Sequence, residues 1–174
     1  MKPTPILETD RLVLRELCPD DAEDMLRLHS HPEVQRYTGE AVITTGAGIR
    51  EKIEEKMHDY ITYGYGRWAT VLKDGNQFIG WSGLAYLPEF DEIDVGYRFL
   101  PQFWGKGLAT EATRAILGYA FSDLELERIV AIAMKENRAS IRVMEKAGMH
   151  FDKYAPYFPD MEELVWYTCE RDNY

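Results

Sequence analysis

Hydrophobic and polar residues recur along this chain with two different periods, and these periods predict its secondary structure. Alternation every second residue and short β-rich runs predict strands at 11–16, 68–72, 78–87, 92–100, 128–134 and 163–169. Recurrence every three to four residues predicts helices at 20–29, 45–63, 109–121 and 138–147, with a short helical turn at 32–37. The order is strand, helices, three antiparallel strands, and then helix, strand, helix and strand, which indicates an α/β (α+β) protein.

Local signals predict where several of these elements begin and end. Asp20 followed by Glu23 is typical of a capping box at the start of the first helix. Gly148 is a natural left-handed cap for the last helix. The first helix is expected to direct one stripe of side chains into the core, namely Ala22, Met25, Leu26 and His29.

Length and composition restrict the class of protein. The chain has 174 residues, 45% of them hydrophobic, which suits a single domain spanning 1–174. No apolar run approaches the roughly 18 residues of a membrane span, and the N-terminal residues lack an apolar signal segment. Cys18 and Cys169 are far apart and the four His show no metal-binding spacing. We therefore expect a cytoplasmic protein with free thiols, no metal and no membrane partner.

The charge balance argues against one class of partner. The formal net charge is −10, opposite in sign to that of a typical nucleic-acid-binding protein, so no nucleic-acid partner is expected. An acidic surface favours cationic partners such as amines, although solubility alone also explains the composition.

The most informative stretch is a glycine turn between a predicted strand and a predicted helix. Gly105-Lys106-Gly107 follows a strand that Pro101 interrupts. The first backbone N–H groups of a helix have no internal partner, and glycine allows a ligand to approach the backbone closely. A phosphate or pyrophosphate is the expected guest. The dinucleotide fingerprint fails because Thr110 occupies its third glycine position, and the Gly-Lys-Ser/Thr phosphate loop fails because Gly107 follows Lys106.

Two sequence blocks resemble the GNAT acetyltransferase superfamily. Gln102, Gly105, Gly107 and Ala109 have the spacing of its acyl-CoA pyrophosphate loop. About thirty residues later, the block 137–149 is similar to the family's second motif, and 11–37 resembles the opening of the branch that contains ribosomal-protein N-terminal acetyltransferases. This resemblance implies a GNAT fold, with a central mixed, mostly antiparallel sheet whose splayed strands are flanked by helices.

The resemblance also implies an acetyl-CoA site. Pantetheine would fit between the strands at 93–100 and 128–134, and main-chain hydrogen bonds would supply affinity as in β-augmentation. Asn137 suits a pantetheine amide, although an asparagine there is also a natural helix N-cap. The residues expected to bind the cofactor are Tyr97, Arg98, Phe99, Gln102, Phe103, Trp104, Gly105, Lys106, Gly107, Leu108, Ala109, Asn137 and Ser140.

Acetyl transfer to an amine needs a proton acceptor and is helped by a proton donor. Asp94 matches a family position that is often Glu, and Glu92 shares its strand face by the two-residue period. Either carboxylate is a candidate base, and a solvated strand face is the alternative for both. Many GNAT enzymes use a tyrosine acid where this chain has Met144. Ser140 occupies the position where ribosomal-protein acetyltransferases look to use a serine near the sulfur, so the resemblance makes it a catalytic candidate, and a capping or helix-surface hydroxyl is the alternative.

The predicted function is acetyl-CoA-dependent N-acetylation of a primary amine on a protein N-terminus, a peptide or a small molecule. A non-catalytic acyl-CoA-binding module is the alternative that Met144 leaves open, and a nucleotide-binding protein is a weaker one. Acceptor contacts are expected in 25–65 and in a loop at 152–161, where Tyr154, Tyr157, Phe158 and Asp160 could line the site. The protein is expected to be a monomer or a homodimer.

Overall fold

The computed structural model describes residues 3–158 and 162–174. Within these residues one sheet contains eight strands: β1 Pro5–Glu8, β2 Leu12–Arg15, β3 Arg67–Leu72, β4 Gln77–Leu87, β5 Glu92–Phe99, β6 Arg128–Met134, β7 His150–Pro156 and β8 Glu163–Glu170. The same described part holds five α-helices: α1 Ala22–His29, α2 Pro32–Gln35, α3 Gly46–Tyr63, α4 Leu108–Ser122 and α5 Arg138–Lys146.

The sheet contains a fork at its only parallel contact among the described strands. The strand order is β1-β2-β3-β4-β5-β6-β8-β7, and β5 and β6 are the parallel neighbours. They share a single residue pair, Asp94 with Val130, whereas β6 and β8 pair from Arg128 to Met134. Beyond that pair the two strands separate, and we call the gap between their C-terminal halves the fork. The prediction of a mixed, mostly antiparallel sheet with splayed strands is confirmed.

Helices cover both faces of the sheet. Trp68 of β3 packs edge to face against Tyr119 of α4, with ring centroids 5.9 Å apart. The preceding residue, Arg67, instead lines a cavity together with side chains of α1 and α3. Because successive strand residues point to opposite faces, α4 lies on one face, and α1 and α3 lie on the other.

The two edge strands were not predicted from the sequence. β1 has only four residues, and its two central side chains are only partly buried. β7 falls in the predicted 152–161 loop, and its first five residues are exposed, so no buried alternation marks it. Both strands form because they pair with a neighbour, β1 with β2 and β7 with β8. The loop prediction was therefore wrong up to Pro156, and Asp160 lies outside the described residues.

The first helix begins differently from the prediction. A 3₁₀ turn, Pro19–Asp21, precedes α1. The Asp21 carboxylate accepts the Cys18 backbone N–H at 3.0 Å, so the capping box uses these two residues and not Asp20 with Glu23. Leu28 is buried along with the predicted Met25 and His29, whereas the other predicted residues of the stripe are partly exposed. Other helix and strand ends agree with the prediction to within one or two residues.

Candidate active site

The glycine loop has the backbone that its sequence predicts. Gly105 and Gly107 have φ angles of +72° and +76°, in the left-handed region that glycine favours. A Cβ added at Gly105 would meet no protein atom within 4 Å, and at Gly107 the nearest atom is Arg11 Nη2, 3.6 Å away. The space beside both glycines is therefore open to a ligand.

Unpaired backbone donors converge at this loop. In the part of the chain that the structure describes, none of the backbone N–H groups from Gly105 to Ala109 donates to a protein acceptor. The first bond of the helix comes from the Glu111 N–H, which donates to the Gly107 carbonyl at 3.0 Å. Five donors at a helix N-terminus form a site for an anion.

Residues before β2 hold the loop in place. The Arg11 guanidinium donates to the Lys106 carbonyl at 2.9 Å and to the Glu111 carboxylate at 2.7 Å, and Thr9 also donates to Glu111. Burial opposes the ionisation of Glu111, but these hydrogen bonds outweigh it and lower the pKa of its carboxyl. The negative charge of Glu111, which would repel a phosphate, is thus balanced by Arg11.

A shallow groove of about 450 Å³ continues from the loop. Gly107, Thr110, Arg114 and Lys146 are among the residues that line it. Arg114 donates through Nε to the Lys146 carbonyl at 3.0 Å, which ties the end of α5 to α4. Neither cation was predicted, because helical spacing suggested only the apolar face of α4.

The other residues predicted for the loop have different environments. Phe103 and Leu108 are buried in the core, whereas Gln102 is exposed. The Trp104 indole donates to the Phe99 carbonyl at 2.7 Å, and this carbonyl can accept a second bond through its other lone pair. Lys106 is exposed and lies 5.6 Å from the centre of the Phe103 ring.

Tyr97 and Ser140 meet across the fork. Tyr97 lies on β5 beyond the Asp94–Val130 pair, and Ser140 is in the first turn of α5, after β6. Their hydroxyl oxygens are 2.8 Å apart. Burial raises the pKa of Tyr97 to about 12, with a smaller opposing effect of the Ser140 bond, so the phenol is protonated at neutral pH. This pair was not predicted, because 43 residues separate its members.

Asn137 caps α5 beside this pair. Its Oδ1 accepts the Ser140 backbone N–H at 3.2 Å, so the capping interpretation is confirmed. Its Nδ2 donates to none of the described residues and is free to meet a carbonyl. The capping bond therefore leaves the amide nitrogen of the same side chain unused.

Asp94 lies where the fork begins. It is 9% exposed, and its carboxylate forms an ion pair with Arg67 of β3. Burial raises the pKa of Asp94, against the opposing effects of the Arg67 guanidinium and of a hydrogen bond from the Ile132 backbone. A Cβ at Gly96 would lie 2.8 Å from Arg67 Nη1, so the glycine leaves room for the guanidinium. Sequence reasoning missed Arg67, and Gly96 beside a buried Asp is the signal that could have indicated it.

Glu92 lies before the fork, where β5 and β6 are still adjacent. Its carboxylate accepts from Arg128 Nε at 3.1 Å. The same guanidinium also binds Asp152 at 3.1 Å and Glu170 at 2.9 Å. Glu92 therefore shares a strand with Asp94 but belongs to a separate charge cluster.

A cavity of about 150 Å³ lies on the face of the sheet opposite Tyr97. Its walls include Met25 and His29 of α1, Lys52 and Lys56 of α3, and Trp81 of β4. Trp81 pairs in register with Arg98, whose guanidinium lies 5.1 Å from the indole centre. Arg98 was predicted through its backbone at the fork, and its side chain contacts the cavity residues His29 and Glu40. The predicted Tyr154, Tyr157 and Phe158 do not line it.

Other groups that could support different chemistry are few in the described part of the chain. Among residues 3–158 and 162–174, no group of three or more His, Cys, Asp or Glu could hold a metal ion. The same residues include no helix that is long and apolar enough to cross a membrane. Met144, which stands where the resemblance to the family implied a tyrosine acid, is 3% exposed and belongs to the core.

A forked sheet, a glycine loop that opens a helix, and a polar cavity on the opposite face define an acetyltransferase fold. The Acetyltransferase (GNAT) domain model matches residues 11–150, and the chain belongs to this family of N-acetyltransferases. The uncharacterized N-acetyltransferase YoaA of Bacillus subtilis is 34% identical, with 83% of this chain and 82% of that protein covered. The FsC-acetyl coenzyme A-N(2)-transacetylase of Aspergillus fumigatus is 29% identical, with 100% and 80% covered.

Solved structures share the fold. The ribosomal-protein-S5-alanine acetyltransferase of Vibrio fischeri superposes with a TM-score of 0.81 at 17% identity, with 96% of this chain and 97% of that chain covered. At this identity the likeness concerns the fold alone. The resemblance to the GNAT superfamily that the sequence suggested is confirmed.

Proposed function

We propose that this protein transfers an acetyl group from acetyl-CoA to a primary amine, by direct attack of the amine within a ternary complex. The observation that carries the proposal is the fork beside the glycine loop. The fork leaves backbone groups of β5 and β6 without strand partners, and the loop beside it has five backbone N–H groups that donate to none of the described residues. A ligand with an extended amide-containing arm and a pyrophosphate matches both features.

The residues present fit acetyl-CoA, which supplies an activated thioester when bound. The open space beside Gly105 and Gly107 allows the pyrophosphate to reach the backbone donors. Arg114 and Lys146 provide positive charge in the adjoining groove. Backbone groups of Tyr97 and Phe99, together with Nδ2 of Asn137, would bind the pantetheine amides.

The acceptor would enter from the cavity face. The cavity and the Tyr97–Ser140 pair lie on opposite faces of the sheet, so the amine and the thiol would meet through the fork. The predicted acceptor region 25–65 includes the α1 and α3 residues of this cavity. Asp94, linked to the cavity through Arg67, is proposed as the base that removes a proton from the amine.

Tyr97 and Ser140 are proposed to stabilise the departing thiolate. A thiol has a pKa near 8.5, and the Tyr97 pKa is about 12. Full proton transfer from the phenol to the thiolate is therefore unfavourable. The pair would instead donate a hydrogen bond to the developing negative charge, which is the role of an oxyanion-hole donor. This assigns to β5 a donor that many relatives place on the helix.

The non-catalytic alternative is not favoured. The alternative depended on Met144, because this residue replaces the tyrosine that the resemblance to the family implied on α5. Tyr97 lies on the neighbouring strand and provides a phenol at the fork, so the substitution at Met144 does not leave the site without a donor.

Calorimetry and a thiol-release assay test the proposal together. We expect CoA to bind and ATP and NAD not to bind, and we expect acetyl-CoA to release thiol when a suitable amine is added. Tight ATP binding without CoA binding would refute the assignment. CoA binding without turnover across protein N-termini, peptides, polyamines and small amines would support a sensing module.

A further inference from the structure

Hydrogen-bond donors dominate the cavity on the α1 and α3 face. Leu17, Met25 and Trp81 provide apolar walls, whereas Lys52, Lys56 and Arg67 provide cationic ones. Glu40 is the carboxylate among the lining residues. The lining side chains therefore carry three positive charges and one negative charge.

The ion pairs around the cavity do not cancel this excess. Asp94 pairs with Arg67, and Asp59 pairs with Lys56 at 3.1 Å. Glu40 serves two cations, because its Oε2 lies 3.0 Å from Arg98 and 3.7 Å from Lys52. Four cations thus face three carboxylates. Lys52 and Arg98 share Glu40, and Lys52 is the more distant of the two.

His29 adds a buried donor that lacks an acceptor. The Arg98 guanidinium, which can only donate, lies 3.2 Å from His29 Nδ1. Nδ1 must therefore accept, and in the neutral ring the proton resides on Nε2. Burial lowers the pKa of His29 to about 4, so the ring is neutral at pH 7. His29 is 0% exposed and lines the cavity, and its Nε2 has no partner among the described residues.

A cavity with surplus positive charge and an unused buried N–H matches an oxyanion. We propose that it binds an oxyanion carried by the acceptor, so that the substrate is an amine that also bears a carboxylate or a phosphate. The proposal rests on the proposed acetyl transfer and specifies its acceptor class. Although the whole chain is acidic, charges within a few ångströms outweigh the screened distant ones. The local field therefore disfavours an acceptor with additional positive charge, such as a polyamine, although the net charge of the whole chain favours cationic partners.

Four amines of matched length test this specificity in the thiol-release assay. These are β-alanine, 2-aminoethyl phosphate, propylamine and 1,3-diaminopropane. We expect kcat/KM for at least one oxyanion-bearing amine to exceed that for the diamine by about tenfold or more. The first two compounds distinguish a carboxylate site from a phosphate site. Preference for the diamine would overturn the inference while leaving acetyl transfer intact.

Charge reversal at Lys52 shows whether the cavity causes the preference. Lys52→Glu should remove the advantage of the anionic amines and favour 1,3-diaminopropane. Arg171→Glu changes the net charge equally at a residue that follows β8 and lies outside the proposed site, and it should change neither rate by more than about twofold. An unchanged preference in Lys52→Glu would contradict the inference. Lys52→Ala repeats the test if the reversed charge prevents folding.

A binding measurement does not depend on turnover. Propionate should raise the Tm of the wild type and of Arg171→Glu, and it should raise that of Lys52→Glu much less. The glycine loop is intact in all three proteins, so the difference isolates the cavity. Equal stabilisation of all three, or none, would overturn the inference. Failure of CoA to bind would refute the proposed function separately.

Discussion

Replacing Asp94 by Asn tests whether the carboxylate at the start of the fork removes a proton or only holds the strands together. The side chain is 9% exposed and paired with Arg67, and it also accepts the Ile132 backbone N–H. Asparagine keeps an oxygen for the Ile132 N–H but loses the negative charge. The variant therefore has two separable effects, one on stability and one on rate.

The expected magnitudes follow from these contacts. Removing one partner of a buried ion pair costs roughly 3–5 kcal/mol of unfolding free energy. A positioned base contributes about 10²- to 10⁴-fold to the rate. An amine with a pKa near 10.4 is about a hundredfold more deprotonated at pH 9 than at pH 7. Asp94→Asn should therefore lower kcat by at least about tenfold at pH 7, and the deficit should shrink towards pH 9.

The matched control is Arg67→Gln, which breaks the same ion pair and leaves the carboxylate. Urea unfolding should show comparable destabilisation of both variants. The profile of kcat against pH should separate them, because only Asp94→Asn loses the base. If the two variants have parallel profiles, or if Asp94→Asn retains wild-type rates from pH 7 to pH 9, Asp94 is not the base.

Three further predictions concern the loop, the fork and the first helix. Gly107→Val should weaken CoA binding in calorimetry far more than Lys106→Ala. Valine at 107 strains a left-handed backbone at the donor cluster, whereas Lys106→Ala removes only one exposed charge. A larger effect of Lys106→Ala would contradict the role of the backbone. Tyr97→Phe should lower kcat about tenfold or more at every pH from 6 to 9, because a hydrogen bond from a neutral donor to a charged atom contributes about 1.5–3 kcal/mol. A decrease in kcat that occurs only at high pH would instead indicate proton transfer. Asp21→Asn should lower the free energy of unfolding by about 3–5 kcal/mol in urea, because Arg15 stays buried without its charge partner. Burial raises the pKa of Asp21, but its hydrogen bonds outweigh burial, so the pKa of the folded protein is lowered. The difference in unfolding free energy between wild type and variant should therefore be constant above about pH 5 and should decrease in more acidic solution.

The sequence predicted those features that depend on nearby residues. The glycine loop combines turn chemistry, a strand end and a helix start within a short stretch, so its backbone could be inferred without tertiary information. Asn137 as a cap of α5 is equally local. Most strand and helix bounds followed from the period of buried positions, because one buried face is enough to produce it.

Contacts between distant residues could not be predicted in the same way. Asp94 was identified, but its partner Arg67 is 27 residues away and on a strand that is not adjacent to β5. The bond between Tyr97 and Ser140 depends on how far β5 and β6 diverge, which the sequence does not encode locally. Edge strands such as β7 bury little side-chain area, and backbone pairing leaves no hydrophobic pattern.

The single residue pair between β5 and β6 divides the sheet into two hydrogen-bonded ladders. Strands β1 to β5 form one, and β6, β8 and β7 form the other, so backbone bonding does little to transmit order from one to the other. Packing against α4 and α5 must provide most of the coupling. The two ladders are therefore expected to open as separate units in native-state hydrogen exchange. A ligand arm that pairs with both edges would join these units, and an effect of cofactor binding on folding cooperativity follows directly from the fork.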